Sequence, residues 1–386
     1  MTSGLKSPRQ TPWTGWVLAL YGLAASLSVS AMGLFSTLLL LTAAIGLVAS
    51  TEVRAHARAE IGLVALATAW VLTQALHLGI LPWDDRSAHT FGRLPLLLVP
   101  AAAALVARGG DPKSEERLLL RLGVGGLVVA VAWALVQYIQ TRGPVGGFLK
   151  NSIYWAYSLL ALGIFFGRIA FRRDEDRSLA RLALIGFGAA LLGSLLALNR
   201  IVPLCLVLFA LLSLPRRRAA AVFAIALLVG GVLYATSPFL QAKVERSLNL
   251  LSDPSFEWRR VAWGHNWDLF RTNFWFGVGP EKNGLDPALH PHVVGHWTPG
   301  HLYFAHNVFL QTAAESGLVG LALFYGFFVA FARRYPASRP LLAFSALGGL
   351  FENTWNNSKA LHGLLFAMAA IAYFDRSRDV AGEGRA

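Results

Sequence analysis

His306 and Glu315 lie nine residues apart in the stretch AHNVFLQTAAESGLVG, which otherwise has the apolar spacing of a membrane helix. Histidine titrates near neutral pH, so an imidazole here could abstract a proton from a hydroxyl group. On a continuous helix Leu310, Ala313 and Gly317 would share the face of His306, whereas Glu315 would point about 180° away. The spacing makes His306 a candidate general base and Glu315 a structural or orienting residue. By spacing alone, an interfacial histidine hydrogen-bonded to a neighbouring loop is the commoner situation.

Several arginines could bind phosphate, because a guanidinium is planar and permanently charged. Arg200 stands between two apolar runs, where a charge is costly unless it pairs or snorkels, so it is a functional candidate with a snorkelling hairpin charge as the alternative. Arg259 and Arg260 lie on a predicted helix, and Arg259 shares a face with Trp263. Arg142, in an outer connection, is a weaker candidate. A solvated face over aromatic rings is the commoner interpretation of Arg259 and Arg260.

A metal site is the rival interpretation of the histidines. Five of the ten histidines fall within 17 residues: His290, His292, His296, His301 and His306. Their spacing matches no standard metal motif, and intervening proline and glycine residues interrupt any regular face. The sequence therefore predicts no metal. It also lacks a GxxxxGK[ST] nucleotide-binding loop, so any reaction must draw on an energised substrate.

The composition places these residues in a membrane. The chain has 386 residues, of which 55% are hydrophobic and 14% charged, and its mean hydropathy is +0.52. Soluble chains carry about 25% charged residues. The apolar runs are too long for the strands of a membrane barrel, so an all-α polytopic membrane protein is predicted. The net charge of +13 sits in short clusters between these runs, such as LPRRRAA, which argues against a nucleic-acid partner.

Twelve transmembrane spans are predicted. They are 15–31, 34–50, 61–80, 94–107, 118–138, 152–168, 182–198, 201–214, 219–237, 316–332, 340–356 and 360–374. Basic residues concentrate in alternate connections, which predicts that both termini are cytoplasmic. The division is 1–237 with nine spans, 238–315 as a partly helical periplasmic loop domain, and 316–386 with three spans and a cytoplasmic tail.

The long loop is predicted to contain two helices. The first covers SDPSFEWRRVAWGHNWDLF, with Asp253 as its N-cap and Pro254 at its first position. The second begins at Thr298 and Pro299 and carries His306. Long ordered loops are commonly functional, so this loop is the expected position of the site.

These motifs resemble those of the bacterial O-antigen ligase/polymerase superfamily. The resemblance rests on His-Asn, Leu four residues after the His, Glu-x-Gly-x-x-Gly, Arg-x-x-x-Trp, Gly-x-Gly and Asn-Arg. In this chain the matching residues are His306, Asn307, Leu310, Glu315, Gly317, Gly320, Arg259, Trp263, Gly277, Gly279, Asn199 and Arg200. The chain departs from the pattern where RTNFWFGVG lacks the proline usual before Gly-x-Gly, and the doublet Arg259–Arg260 leaves the diphosphate ligand open.

The resemblance implies a GT-C-like glycosyltransferase architecture and a reaction on the outer face of the bacterial inner membrane. Members transfer a glycan from a polyprenyl diphosphate without nucleotide or metal, so no cofactor is expected. By resemblance, His306 is the general base, and Arg200, Arg259, Arg260 and Arg142 are candidates to bind the diphosphate. The residues expected to be structural or orienting are Asn307, Glu315, Gly317, Gly320 and Trp263.

The expected partners are an undecaprenyl-diphosphate-linked O-antigen as donor, lipid A–core as acceptor, and membrane lipids. A ligase is the leading hypothesis, and an O-antigen polymerase or a protein O-oligosaccharyltransferase would use the same chemistry on another acceptor. The hypothesis of a different class is a transporter or flippase for lipid-linked glycans. That function predicts polar groups near the bilayer midplane, whereas the polar candidates here gather at the outer end.

Overall fold

A computed structural model describes the chain outside residues 1–12, 81–93, 108–110, 150, 172–175, 249–253, 281, 285–304, 353–357 and 382–386. The described residues are helical and contain no strand, which confirms the predicted all-α class. The α-helices in chain order are α1 (Trp13–Leu27), α2 (Val29–Ala49), α3 (Thr51–Ala59), α4 (Ile61–Ile80), α5 (Val99–Val106), α6 (Pro112–Thr141), α7 (Ser152–Ala170), α8 (Arg177–Leu196), α9 (Ile201–Ser213), α10 (Arg216–Thr236), α11 (Pro238–Leu248), α12 (Pro254–Thr272), α13 (Val308–Arg334), α14 (Arg339–Gly349) and α15 (Ser358–Ala381).

The helices include enough apolar length for a multi-pass membrane protein. By length and composition, six described helices could each cross a bilayer: α2, α6, α7, α8, α10 and α13. A seventh crossing forms if α3 and α4, which meet at a bend of 79°, count as one span. The helices α1 and α9 and the segment Pro95–Val106 are apolar but shorter. Every predicted span overlaps a helix, while twelve crossings remain a prediction.

Helix α7 forms the centre of the bundle. It contacts α8, α9, α14 and α15, and its Trp155 and Phe166 are among the largest fully buried side chains of the described residues. Small residues allow neighbouring helices to approach closely, as is usual in membranes. A Cβ at Gly363 of α15, for example, would lie 2.8 Å from the Ser158 backbone. Helix α7 therefore provides the rigid support for the segments around it.

One end of the bundle, here the ion-pair end, is held by contacts between arginines and carboxylates. The pairs are Glu60–Arg334 at 3.0 Å, Glu116–Arg378 at 2.6 Å, Arg117–Asp176 at 3.3 Å and Arg168–Asp375 at 3.8 Å. All of these residues belong to, or lie beside, connections predicted to be cytoplasmic. These pairs therefore join neighbouring helix ends at one end of the bundle, while the predicted orientation of that end stays a prediction.

Connections predicted on the other side contact one another at the opposite end, here the loop end. Ser237 Oγ donates to the Arg142 carbonyl at 2.7 Å, and Lys243 Nζ donates to the Leu198 carbonyl at 2.9 Å. Helices α11 and α12 follow at this end, and α12 packs against α13. Helix α12 begins at Pro254, as predicted, while its predicted N-cap Asp253 lies outside the described residues.

Candidate functional site

His306 lies just outside a helix, two residues before α13. Its backbone has φ 47°, and Asn307 is the N-cap, with its Oδ1 accepting hydrogen bonds from the amides of Phe309 and Leu310. The prediction that His306 lies on a helix above an apolar stripe was therefore wrong. An asparagine side chain satisfies the first amides of a helix well, so the helix begins after Asn307. The predicted start at Thr298 lies outside the described residues.

The imidazole of His306 lies between a carboxylate and an indole. Its Nδ1 is 2.6 Å from Oε1 of Glu352, a buried residue, and the Trp258 ring packs edge-to-face against it with 4.8 Å between ring centroids. A carboxylate on one ring nitrogen fixes the ring orientation and stabilises the protonated form, as in hydrolase triads. Nε2 is the ring nitrogen that the contact with Glu352 does not use. Glu352 was not predicted, because it appeared only as one polar residue within a span.

Two hydrogen bonds fix the turn that carries Glu352. Asn307 Nδ2 donates to the Leu350 carbonyl at 3.2 Å, and the Tyr157 hydroxyl donates to the Gly348 carbonyl at 3.1 Å. Asn307 therefore caps α13 and also connects the His306 segment to the turn beyond α14. The carboxylate and the imidazole are positioned by neighbouring backbone rather than by their own contact alone.

Ala305, the residue before His306, is fixed by hydrogen bonds to both its carbonyl and its amide. Trp263 Nε1 donates to the Ala305 carbonyl at 2.8 Å, and the Ala305 amide donates to Gln311 Oε1 at 2.8 Å. Trp263 comes from α12 and Gln311 from α13, so two helices set the position of His306. Trp263 thus makes the kind of orienting contact that the sequence suggested.

Gln311 also connects this segment to a buried chain of amides. Its Nε2 donates to Asn283 Oδ1 at 3.1 Å, and Asn283 Nδ2 donates to Asn266 Oδ1 at 2.6 Å. The same Nε2 also contacts Glu315 Oε1. Glu315 therefore faces Gln311 while Glu352 faces His306, which agrees with the spacing argument against a direct His306–Glu315 pair. Buried polar groups of this kind stabilise one arrangement when each has a partner.

The two glycine motifs cross each other backbone to backbone. The amides of Val278 and Gly279 donate to the carbonyls of Ala314 and Glu315, both at 2.9 Å, and the Leu318 amide donates to the Phe274 carbonyl at 2.7 Å. At the crossing, Gly277 has φ 72° and Gly317 has φ 62°. A Cβ on either glycine would meet the backbone of the other segment. Only glycine tolerates both the positive φ and the close approach of the other backbone. The break in α13 at Gly317 follows from this crossing.

Gly320 marks a second close approach along α13. A Cβ there would meet the side chain of Ser316, and the Ser316 Oγ accepts a hydrogen bond from Gln74 Nε2 of α4 at 2.9 Å. The glycine therefore leaves room for a polar contact between α4 and α13. This placement is consistent with the close helix packing expected from the motif.

Of the two adjacent arginines, Arg259 lies on the side of the site. It is half-buried, and it lies within electrostatic reach of the Tyr157 hydroxyl, as do Glu352 and Cys205. Arg260 is exposed and lines a separate surface depression of about 350 Å³ with His265 and Asp268. Of the two arginines, Arg259 is therefore the one that interacts electrostatically with the groups around Tyr157 and Glu352.

Arg200 and Arg142 occupy different positions at the loop end. Arg200 is exposed immediately before α9, the helix that carries Cys205 toward Tyr157. Arg142 is an exposed, left-handed residue (φ 51°) that ends α6, and its guanidinium lies over the ring of Tyr138 on the same helix, 5.9 Å from the centroid. Arg200 is therefore the better placed of the two to act with Arg259.

Lys243 is a cation that the sequence analysis missed. Its Nζ donates to the carbonyl of Leu198, which has φ 51° and stands two residues before Arg200. The contact connects α11 to the turn in front of α9. The contact could not be predicted, because an isolated lysine on an amphipathic loop helix does not indicate which segment its side chain reaches.

Within the part of the chain that the structure describes, no three of His, Cys, Asp and Glu come together as metal ligands. The histidines His290, His292, His296 and His301 of the rival interpretation lie outside those residues. His306 itself is engaged by Glu352 and Trp258.

Residues 178–325 match the family model described as O-antigen ligase. This part of the chain is similar to the O-antigen ligase family. The matched region includes Arg200, Arg259, the crossing glycines and His306, so the resemblance drawn from the motifs is confirmed. The match ends before Glu352, which belongs to the C-terminal part of the chain. No curated protein matches the chain.

The domain lies in a multi-pass helical membrane protein. Within it, the residues of the motif pattern have separate tasks: Asn307 and Trp263 fix the backbone around His306, and Gly277 and Gly317 allow the two segments to cross. The arrangement can hold an imidazole beside cations at one end of an apolar bundle. Such a site suits acyl or glycosyl transfer to a hydroxyl group.

Proposed function

We propose that this protein is an O-antigen ligase that transfers O-antigen polysaccharide from undecaprenyl diphosphate to a sugar hydroxyl of lipid A–core. The observation that carries the proposal is the placement of His306 between Glu352 and Trp258, with Arg259 nearby, inside the region that matches the O-antigen ligase family. Family membership supports glycan transfer, and the site supplies a base and cations for it.

In the proposed reaction, the acceptor hydroxyl gives its proton to Nε2 of His306 as its oxygen attacks the anomeric carbon. The bond between that carbon and the diphosphate oxygen breaks, and undecaprenyl diphosphate leaves. Attack opposite the leaving group inverts the anomeric centre. Glu352 stabilises the imidazolium, which afterwards releases its proton to solvent.

The leaving diphosphate gains negative charge, so preorganised cations lower the barrier. Arg259 and Arg200 are assigned this task. Arg259 is half-buried, so its interaction with phosphate would be less screened than that of an exposed arginine. No metal or nucleotide takes part in the proposed mechanism.

We further propose that the protein lies in the bacterial inner membrane with both termini in the cytoplasm and the loop end in the periplasm. The excess of arginine and lysine at the ion-pair end supports this orientation. In that orientation, a lipid-linked donor and a lipid acceptor could reach His306 from the outer leaflet. A transporter would place its polar groups at the midplane, so their position at one end favours an enzyme.

The test is to delete the gene in its host and analyse the glycolipids. The proposal predicts full-length glycan stranded on the polyprenyl carrier together with bare lipid A–core, and restoration by the wild-type gene. Single repeat units attached to the core would instead indicate a polymerase, and loss of a protein-linked glycan would indicate a protein O-oligosaccharyltransferase.

A reconstituted reaction separates enzyme from transporter. Purified protein in detergent, where no compartments exist, should join lipid-linked glycan to lipid A–core, and a chelator should leave the rate unchanged. Absence of transfer by folded protein with both substrates would contradict the proposed function.

A further inference from the structure

A cleft of about 440 Å³ lies between α8 and α10, and none of its lining residues contacts His306. Its two walls are regular helical stripes. Leu184, Leu191 and Leu195 represent the stripe on α8, and Arg218, Val222 and Val229 the stripe on α10. Leu184 and Leu191, like Val222 and Val229, are seven residues or two helical turns apart, so the lining residues of each helix share one face along the cleft. Two apolar stripes of this kind would normally pack directly against each other.

Helix α10 contacts α8, α9 and α11 but has few fully buried side chains. Only Ala219 and Leu233 are buried among its described residues. Near its C-terminal end the Tyr138 hydroxyl contacts the Thr236 Oγ1 at 2.8 Å. Val222 and Val229 also pack partly against the core, and the cleft lies between these side chains and α8. Side chains that border a cleft lose dispersion contacts on that side, so an apolar chain that fills the cleft would stabilise the helix.

The charge at the cleft identifies the class of occupant. Arg218 lines the cleft at the N-terminal end of α10, and the exposed residues Arg216 and Arg217 adjoin it. From Arg218 to Val229 a helix rises about 16 Å, which is close to half of the roughly 30 Å hydrocarbon core. We propose that the cleft binds an anionic phospholipid, with one acyl chain between α8 and α10 and its phosphate on Arg218.

The length and the charge both argue against the prenyl chain of a donor. The basic mouth lies at the end opposite His306 along α8 and α10, whereas a donor diphosphate must reach His306. A long polyprenyl chain also exceeds a cleft that spans one leaflet. Basic pockets between helices on the cytoplasmic side are typical of anionic lipid sites, and the predicted orientation places Arg218 on that side. No residue of the proposed transfer site lines the cleft.

Gly188 offers a variant that closes the cleft without disturbing described neighbours. It lines the cleft, and a Cβ there would meet no described atom within 4 Å. Gly188→Leu therefore fills space that the acyl chain would occupy. Gly231→Leu is the matched control, because Gly231 on α10 is exposed outside the cleft and is equally uncrowded.

The experiment is native mass spectrometry of the purified full chain titrated with phosphatidylglycerol, phosphatidylcholine or undecaprenyl phosphate. The inference predicts one tightly retained phosphatidylglycerol in the wild type and in Gly231→Leu, and its loss in Gly188→Leu. Arg218→Gln should weaken retention about fivefold, the factor expected for one basic residue facing an anionic lipid. Arg217→Gln, which changes the same charge outside the cleft, should have a smaller effect.

Three results would overturn the inference. They are equal retention of phosphatidylcholine and phosphatidylglycerol, equal losses in Arg217→Gln and Arg218→Gln, and displacement of phosphatidylglycerol by undecaprenyl phosphate. If Gly188→Leu does not elute as a folded monodisperse protein, the two arginine variants decide the question alone.

Discussion

Polar side chains have different roles at the two ends of the bundle. At the loop end, side chains such as Trp263, Gln311 and Asn307 direct their polar atoms at backbone beside His306 and Glu352. At the ion-pair end, arginines such as Arg378 join carboxylates on other helices while remaining partly exposed. The first arrangement fixes one reacting group in space, whereas the second holds helices together. Changes at the loop end should therefore alter the rate, and changes at the ion-pair end should alter stability.

The largest effect is expected at His306. His306→Ala removes the proposed base, and general-base catalysis contributes roughly 10²- to 10⁴-fold, so we expect a loss of about 10³-fold in kcat. The thermal midpoint in detergent should also fall, because the variant loses the contacts of the imidazole with buried Glu352 and with Trp258 of α12, so kcat is compared per folded molecule. Initial rates of glycan transfer in purified components measure the effect, and a wild-type rate would remove His306 from the mechanism.

The next effect distinguishes the two adjacent arginines. Arg259→Gln should lower kcat by about 10²-fold, in the range found for removing one preorganised donor to developing charge. Arg260→Gln is the matched control, because it changes the same charge on the face with His265 and Asp268. Its rate should remain within about threefold of the wild type, allowing only for a weak surface charge effect. A larger loss of kcat in Arg260→Gln than in Arg259→Gln would make Arg260 the arginine that binds the diphosphate.

A smaller loss of activity is expected at the glycine crossing. Gly317→Ala forces a Cβ against the backbone of Trp275 and Phe276 and retains a positive φ, so it should destabilise the protein by roughly 1–3 kcal/mol. Displacement of the His306 segment should lower transfer about tenfold. Gly264→Ala on α12 is uncrowded and should stabilise the helix by up to about 1 kcal/mol. Equal effects of the two changes would show that the crossing is not tight.

The smallest effect on rate is expected at the ion-pair end. Glu116→Gln leaves Arg378 without its carboxylate and should reduce stability by about 1.5–3 kcal/mol, as for a hydrogen bond to a charged group. The kcat per folded molecule should stay unchanged. Urea unfolding and transfer rates on the same sample test both parts, and a loss of rate without a loss of stability would contradict the division between the ends.

Much of the fold could be predicted because the lipid environment imposes simple rules. Apolar runs located the helices, and Pro254 marked the start of α12. The site was predicted only in part. His306 and Arg259 were recognised by residue type and motif, but their surroundings depend on contacts between segments far apart in sequence. Glu352, 46 residues beyond His306, is such a case, since one carboxylate in an apolar run gave no indication of its partner.

The error over the helix at His306 has a local cause. Apolar periodicity continues through residues 301–320 and conceals the break, although Asn307 is a residue that favours an N-cap over a helix interior. The kink at Gly317 was equally hidden, because it arises from the approach of a second segment, at Gly277, rather than from α13 itself. In the sequence, Asn307 and Gly317 were the only local indications of the helix start and of the kink.

The most direct test of the central claim is a double-mutant cycle between His306 and Glu352, measured as kcat for glycan transfer. Glu352→Gln alone should slow transfer at least about tenfold, because the imidazolium formed during transfer loses the carboxylate beside it. If Glu352 acts through His306, adding Glu352→Gln to His306→Ala should cost nothing further. Losses that multiply in the double variant would contradict the account.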